Sequence, residues 1–101
     1  MLSVKYEDGN AIAQIKESRL DIFLSQDLSD QLLFHLEKSK DRLILDTSEV
    51  QFIDSAIVGV FIRVHETAKK SQKKLVFINT SSFCQKLFQG SGLKEIFFVE
   101  S

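Results

Sequence analysis

The sequence has no tryptophan, no proline, one cysteine and four glycines in 101 residues. The single cysteine, Cys84, excludes an internal disulfide, and the amino end lacks the basic and apolar pattern of an export signal. The longest apolar runs are far shorter than the ~20 residues that span a bilayer. These absences predict a cytoplasmic protein that does not insert directly into the membrane.

The chain also lacks an excess of either charge, because it has 13 Lys and Arg residues and 14 Asp and Glu residues. The formal net charge of −1 lacks the strongly basic footprint of most nucleic-acid binders, so we expect no nucleic-acid partner. Neither a G-x-x-x-x-G-K-[ST] loop nor a G-x-G-x-x-G motif occurs, and the histidines and the cysteine lack metal-ligand spacing. We therefore expect no cofactor and no metal.

A nucleophile with a neighbouring base is missing as well. The nearest candidates, Ser55 and His65, lie ~15 Å apart along one predicted helix and cannot touch. His65 borders an apolar band and is interpreted as a partly buried structural residue. We expect no catalytic residue and no enzymatic activity.

The residues that are present predict a single α/β domain over residues 1–101. Alternating apolar residues on either side of Asp8-Gly9 predict an antiparallel hairpin. Further strands are predicted at 42–46, 75–78 and 96–99, and helices at about 26–37, 56–68 and 82–88. This alternation predicts a mixed sheet, with the N-terminal hairpin followed by mainly parallel strands and with helices packed on the sheet.

Serines stand at the predicted start of each helix. We expect Ser25 and Ser55 to be the N-caps of the first two helices, and Ser82 with Gln85 to form a capping box at the third. Ser55 would then lie at a strand-to-helix corner, at the edge of the sheet where binding sites tend to occur. Gly59 follows one turn later on the same helix face, which indicates either close packing of helix on sheet or a bare backbone that another molecule can approach.

Two stretches together resemble the STAS domain family, the family of bacterial anti-sigma factor antagonists. The first is L-I-L-D-T-S-E-V-Q-F-I-D-S, from Leu43 to Ser55, followed by Gly59. The second is S-R-L-D at 18–21, where the family often has G-E-L-D, and S-G-L at 91–93 adds a further match. These matches occur in the family's order and spacing over almost the whole chain.

The resemblance implies a non-enzymatic regulator of transcription that works by partner switching. Members of this kind bind an anti-sigma factor that is also a serine kinase, and so free a sigma factor. The kinase phosphorylates the serine that follows the family's Asp, which here is Ser55 after Asp54, and a serine phosphatase reverses the mark. The same carry-over places Asp21 on the kinase-facing rim. The implied partner-binding residues are Asp21, Asp54, Ser55, Ala56, Ile57 and Gly59.

The sequence departs from the family in two places. The family commonly continues D-S-[ST]-G-[LIV]-G, whereas this chain reads D-S-A-I-V-G, and we expect Ile57 to place bulk near the docking surface. The chain also ends soon after its last predicted strand, so we expect little room for the closing helix of many members. A partly uncovered sheet of this kind would favour self-association as a homodimer, or a different partner.

Two other functions stay open at this point. One is a STAS subunit that is not phosphorylated and that supports a membrane transport complex, as such domains do beside lipid-transport ATPases. The other is nucleotide binding or slow hydrolysis at the Ser55 corner, which is suggested for some relatives.

Overall fold

A computed structural model describes residues 1–100, which form seven strands, three α-helices and one 3-10 turn. The strands are β1 (Leu2–Glu7), β2 (Asn10–Ile15), β3 (Arg19–Leu20), β4 (Arg42–Asp46), β5 (Phe52–Ile53), β6 (Lys74–Ile78) and β7 (Phe98–Val99). The helices are α1 (Ile22–Lys38), α2 (Ser55–Lys70) and α3 (Ser82–Gly90), and the 3-10 turn is Leu93–Glu95.

Five strands form the main sheet, in the order β1-β2-β4-β6-β7. Strands β1 and β2 pair antiparallel, with Glu7 opposite Asn10 and only Asp8 and Gly9 between them. Both turn residues have positive φ, 53° and 83°, as a tight two-residue hairpin requires. The other pairings, β2 with β4, β4 with β6 and β6 with β7, are parallel. The predicted mixed sheet is therefore confirmed.

The core lies on one face of this sheet, under the three helices. Alternation along β4 and β6 turns Leu43, Leu45, Leu75 and Phe77 to this face, where all four are fully buried. Helix α3 packs on the same face, because Phe88 lies 5.2 Å from Phe77 between ring centroids. Other core side chains come from the apolar stripes of α1 and α2, among them Leu28, Leu32, Leu36, Ile57, Phe61 and Val64.

Helix α1 begins four residues earlier than its periodicity predicts. Its N-cap is Asp21 rather than Ser25, and the Asp21 carboxylate accepts a hydrogen bond from the Phe23 N–H. Ser25 lies inside the first turns and donates instead to the carbonyl of Ile22. The prediction was wrong because Ile22 and Phe23 are apolar but exposed, and they hide the period that already starts at Leu24.

The carboxyl-terminal elements also shift from their predicted bounds. Ser81, not Ser82, is the N-cap of α3, with its hydroxyl accepting from the Cys84 N–H at 3.1 Å. The predicted strand at 96–99 is shortened to Phe98–Val99, because Phe97 N–H donates to the Leu93 carbonyl and closes a turn before the strand. No helix among residues 1–100 combines the length and the apolar character needed to cross a membrane.

A second, two-stranded sheet was not predicted. Strands β3 and β5 pair in parallel through Arg19 opposite Phe52 and Leu20 opposite Ile53. Each strand is only two residues long, too short to carry a period of its own. The pairing matters because each strand leads directly into a helix, β3 into α1 and β5 into α2.

Candidate functional site

Two equivalent strand-to-helix corners lie side by side. Because Leu20 pairs with Ile53, the residues that follow them, Asp21 and Asp54, occupy matching positions. Each carboxylate caps the helix that it precedes. Asp21 accepts from the Phe23 N–H at 3.1 Å, and Asp54 accepts from the Ile57 N–H at 3.1 Å. The start of α1 and the start of α2 therefore form one surface.

Asp54 also joins the two corners. Its second carboxylate oxygen, Oδ2, accepts a hydrogen bond from the Ile22 N–H at 2.9 Å. One side chain thus satisfies N–H groups at the amino ends of both helices, where such groups lack partners within their own helix. This double contact gives Asp54 a structural role that the sequence did not reveal.

Ser55 is the first residue of α2 and not its N-cap. The prediction of a Ser55 cap was wrong by one residue, because Asp54 has the extended backbone of a cap, with φ −94° and ψ 179°, and a carboxylate that reaches the helix amides. The Ser55 side chain is exposed. Its hydroxyl stands at the positive end of the helix dipole, where an added anion is stabilised.

The exposed face of α2 continues from Ser55 through Gly59, Arg63 and Glu66, as its period predicts. A Cβ built on Gly59 would meet no atom within 4 Å. Close packing of helix on sheet therefore does not explain this glycine. The backbone at Gly59 is open to an approaching molecule, one turn from the serine.

Ile57 does not add bulk to this surface. Its side chain is fully buried in the core, because the third residue of the helix points inward, while Ala56 is half-buried. The expectation of an obstructed docking surface was wrong. Replacing the family's glycine by isoleucine at this position changes the core rather than the exposed surface.

Two apolar side chains beside the corner were missed from the sequence. Ile22 is 62% exposed and Phe23 is 91% exposed, although both directly follow a helix cap. Two adjacent exposed apolar side chains form a patch rather than a single scattered residue. The sequence did contain one sign of this exposure, because Ile22 and Phe23 do not fit the helical period of Leu24, Leu28 and Leu32.

The rim of the site carries few free charges. Arg19 Nε lies 3.2 Å from Asp21 Oδ2, and its guanidinium stacks on Phe52, 4.2 Å from the ring centroid. Phe52 in turn packs against Phe83 at the start of α3. The two carboxylates at the corner are thus already hydrogen-bonded or paired, whereas the Ser55 side chain next to Asp54 is exposed.

Three other titratable residues, Cys84, His35 and His65, lie away from the corner. Burial raises the pKa of the Cys84 thiol, outweighing the nearby Ser81 and Thr47 side chains, which lower it. Desolvation and the nearby Lys38 charge lower the pKa of His35, which contacts the Tyr6 hydroxyl at 2.5 Å. His65 is 5% exposed and packs edge-on against Phe97, as expected for a structural histidine.

Metal-binding geometry is not found in the part of the chain that the structure describes. No group of three or more His, Cys, Asp or Glu side chains converges among residues 1–100. The two corner carboxylates lie close together, but their oxygens accept backbone N–H groups. These oxygens are therefore already engaged as hydrogen-bond acceptors.

Known proteins similar to this chain share one domain type. The family model described as "Mlab, STAS domain" matches residues 17–100. An anti-sigma-B factor antagonist of Listeria monocytogenes is 24% identical over 100 residues, which cover 99% of this chain and 88% of that protein.

Solved structures give the same fold. A STAS domain protein from Planctomyces limnophilus has a TM-score of 0.87 at 16% identity, covering 99% of this chain and 89% of that one. The phosphorylated form of the Bacillus cell fate determinant SpoIIAA has a TM-score of 0.73 at 16% identity, covering 100% of this chain and 92% of the other. With its family model matched over residues 17–100 and its mixed sheet reproduced in these structures, the chain belongs to the STAS domain family.

Proposed function

We propose that this protein is an anti-sigma factor antagonist whose binding is controlled by phosphorylation of Ser55. In its unmodified form it binds an anti-sigma factor that is also a serine kinase, and this binding frees a sigma factor. The observation that carries the proposal is the exposed Ser55 hydroxyl at the first residue of α2, beside the exposed side chains of Ile22 and Phe23. The similarity to an antagonist of this class in Listeria supports it.

In this proposal the Ile22 and Phe23 side chains contact the partner, and phosphorylation of Ser55 controls whether the partner binds. Exposed aromatic residues that become buried on binding carry much of the affinity of protein interfaces. A phosphoryl group on Ser55 would add about −1.5 to −2 charges at neutral pH. Next to the Asp54 carboxylate and inside an apolar contact, that charge would cost desolvation and repulsion. The phosphorylated form would therefore release the partner.

The domain itself has no need to refold during this switch. The amino end of α2 favours negative charge through its dipole, so the phosphoryl group would be held where it forms. The likeness to a relative solved in its phosphorylated form agrees with this view, because the same fold is present there. The change in binding would then arise at the surface alone. A serine phosphatase would restore the binding form.

The first experiment tests whether Ser55 is phosphorylated. The purified protein is incubated with ATP and a lysate of the source organism, and the product is mapped by mass spectrometry. We expect one added phosphoryl group on Ser55, and none in a Ser55→Ala variant. Modification elsewhere with Ser55 unmodified would contradict the proposal.

The second experiment tests whether the charge controls binding. The wild type, Ser55→Ala and Ser55→Asp are used to capture partners from the same lysate, and captured proteins are identified by mass spectrometry. We expect an anti-sigma factor kinase with the wild type and Ser55→Ala, and its loss with Ser55→Asp. Ser82→Asp is the matched control, because Ser82 is likewise an exposed first residue of a helix. Equal capture by both Asp variants would contradict the switch.

A second candidate function is a STAS subunit of a membrane lipid-transport complex that is not phosphorylated. It is favoured by the half-buried Ala56, which lacks the hydroxyl that commonly follows the family's serine. The same capture experiment separates the two. A transporter ATPase captured equally by Ser55→Ala and Ser55→Asp would support this candidate over the first.

A further inference from the structure

The main sheet has one face without helices. All three α-helices of residues 1–100 pack on the face that carries Leu43, Leu45, Leu75 and Phe77. Alternation turns the intervening residues to the opposite side. On strands β2, β4 and β6 these residues are Asn10, Ile12, Gln14, Arg42, Ile44, Asp46, Lys74, Val76 and Ile78.

An apolar row crosses the middle of this helix-free face. The strand register places Ile12 opposite Ile44, and Ile44 opposite Val76. Ile12 and Ile78 are half-buried, whereas Ile44 and Val76 are buried, with 8% and 2% of their surface exposed. None of these four belongs to the core under the helices. All-parallel sheets occur almost only where both faces are covered, and three of the four strand pairings in this sheet are parallel, so an apolar row on a face without helices favours a cover.

Charges on the central strand indicate what the cover is. Strand β4 is the third of five in the sheet, and it reads Arg42, Ile44, Asp46 along this face. Consider a two-fold axis that lies between the two sheets and runs perpendicular to β4. It would place Ile44 of one copy over Ile44 of the other, and Arg42 of each copy over Asp46 of the other. The alternative axis, parallel to the strand, would place like charges over each other. The central strand is therefore complementary to itself in one orientation, in which Lys5, on the edge strand at the end of the same row, faces its own copy.

We propose that the helix-free face of the sheet joins two copies of this chain in a symmetric homodimer. The two sheets would pack face to face about 10 Å apart, a gap that Arg42 and Asp46 side chains can bridge together. The present partners of Arg42, Asn10 at 3.4 Å and Glu100 at 3.7 Å, form surface contacts that contribute little. Asp46 accepts hydrogen bonds from Ser48 and Asn79 and keeps lone pairs for a further donor.

The area of the helix-free face determines how tightly the dimer is expected to associate. Five strands about 4.8 Å apart, contributing about five residues each, give a footprint of roughly 400 Å² per copy. That is the low end of protein interfaces, where association is weak and transient. We therefore expect a dimer that dissociates in the micromolar range or above. The dimer would leave Ser55, Ile22 and Phe23 free, because they do not belong to this face.

Sedimentation velocity of the purified chain from about 1 µM to about 1 mM tests the proposal. We expect a concentration-dependent rise from the mass of one chain to that of two. Ile12→Lys, which places a second positive charge in the row opposite Lys5, should keep the protein monomeric throughout. Lys69→Glu, an exposed charge reversal at the end of α2, is the control and should dimerise like the wild type.

Charge reversal on the central strand gives a sharper result. Arg42→Glu and Asp46→Lys should each weaken the dimer at least tenfold, and the double variant should restore it. Far-UV circular dichroism confirms that each variant is folded. A wild type that stays monomeric at every concentration would overturn the proposal and leave the face to a different protein. A dimer unaffected by Ile12→Lys would overturn it as well.

Discussion

Asp54 accepts a hydrogen bond from the backbone N–H of Ile22, 32 positions earlier in the chain, at a distance of 2.9 Å. The same carboxylate caps its own helix through the Ile57 N–H. The start of α1, with the exposed Ile22 and Phe23, is thereby fixed relative to Ser55 at the start of α2. The Asp that precedes the serine thus holds the starts of the two helices together.

Removing the Asp54 side chain should destabilise the domain. Asp54→Ala loses the cap and the bond to Ile22, and we expect a loss of about 1–3 kcal/mol in the free energy of unfolding. Asp54→Asn keeps one acceptor oxygen for the cap and should lose less. Urea denaturation measures both, with Glu66→Ala on the exposed face of α2 as the control. A loss in Asp54→Ala no larger than in the control would contradict the double role.

Alanine at Gly59 should stabilise the domain. The added methyl group enters open space, and alanine favours the helix over glycine by about 1 kcal/mol. The matched control is Gly92→Ala, which also meets open space but at a φ of +75°, where alanine is strained. We expect the melting temperature to rise for Gly59→Ala and to fall for Gly92→Ala. A fall for both would mean that Gly59 has a packing role after all.

Asp46 should contribute to stability in a pH-dependent way. Desolvation raises its pKa, but hydrogen bonds from Ser48 and Asn79 and the charge of Lys16 outweigh it, so the pKa lies below its ordinary value. The contribution is therefore present above that ordinary value and is lost as the pH falls through the lowered one. We expect Asp46→Asn to be less stable than the wild type near neutral pH, and the difference to shrink below pH about 4.

Thermal unfolding at a series of pH values measures this difference. Glu66→Gln, which removes an exposed carboxylate of α2, is the control variant. A stability difference between Asp46→Asn and the wild type that is constant from neutral to acid pH would contradict the role assigned to these hydrogen bonds.

The Cys84 thiol should resist modification in the folded protein. It is fully buried, and burial raises its pKa, so little reactive thiolate is present near neutral pH. We expect a thiol-specific reagent to react slowly with the native wild type and quickly in denaturant. A Ser71→Cys variant, with a second thiol at the exposed end of α2, should react at once with one equivalent. Rapid reaction of the native wild type would contradict the burial.

The sequence predicts those elements whose signal is local. Strand β4 matches its predicted bounds, and β6 begins one residue earlier than predicted, because each is a short apolar run with polar residues at both ends. Strands β3 and β5 escaped prediction, since each has two residues and is held by a partner more than thirty positions away. The start of α1 was misplaced because Ile22 and Phe23 are apolar for a reason other than the core.

The candidate site was likewise predicted only in part. The strand-to-helix corner at Ser55 is visible in the sequence, and its phosphorylation stays a prediction. The N-cap of α2 was assigned to Ser55 instead of Asp54, because Asp and Ser are both favoured as N-caps. Only the structure shows that Asp54 is the residue with the extended backbone of a cap. The bond from Asp54 to Ile22 and the exposure of Phe23 depend on how distant segments meet, which no local pattern encodes.

The order of strands in the main sheet, β1-β2-β4-β6-β7, follows the order in which the chain is synthesised. Each strand leaving the ribosome finds its neighbour already made and never has to insert between two strands that are paired. Folding can therefore proceed from the amino end during translation, with one growing edge at every stage. We expect the β1-β2 hairpin to be paired before β4 has left the ribosome, so that β4 adds to an edge that is already formed.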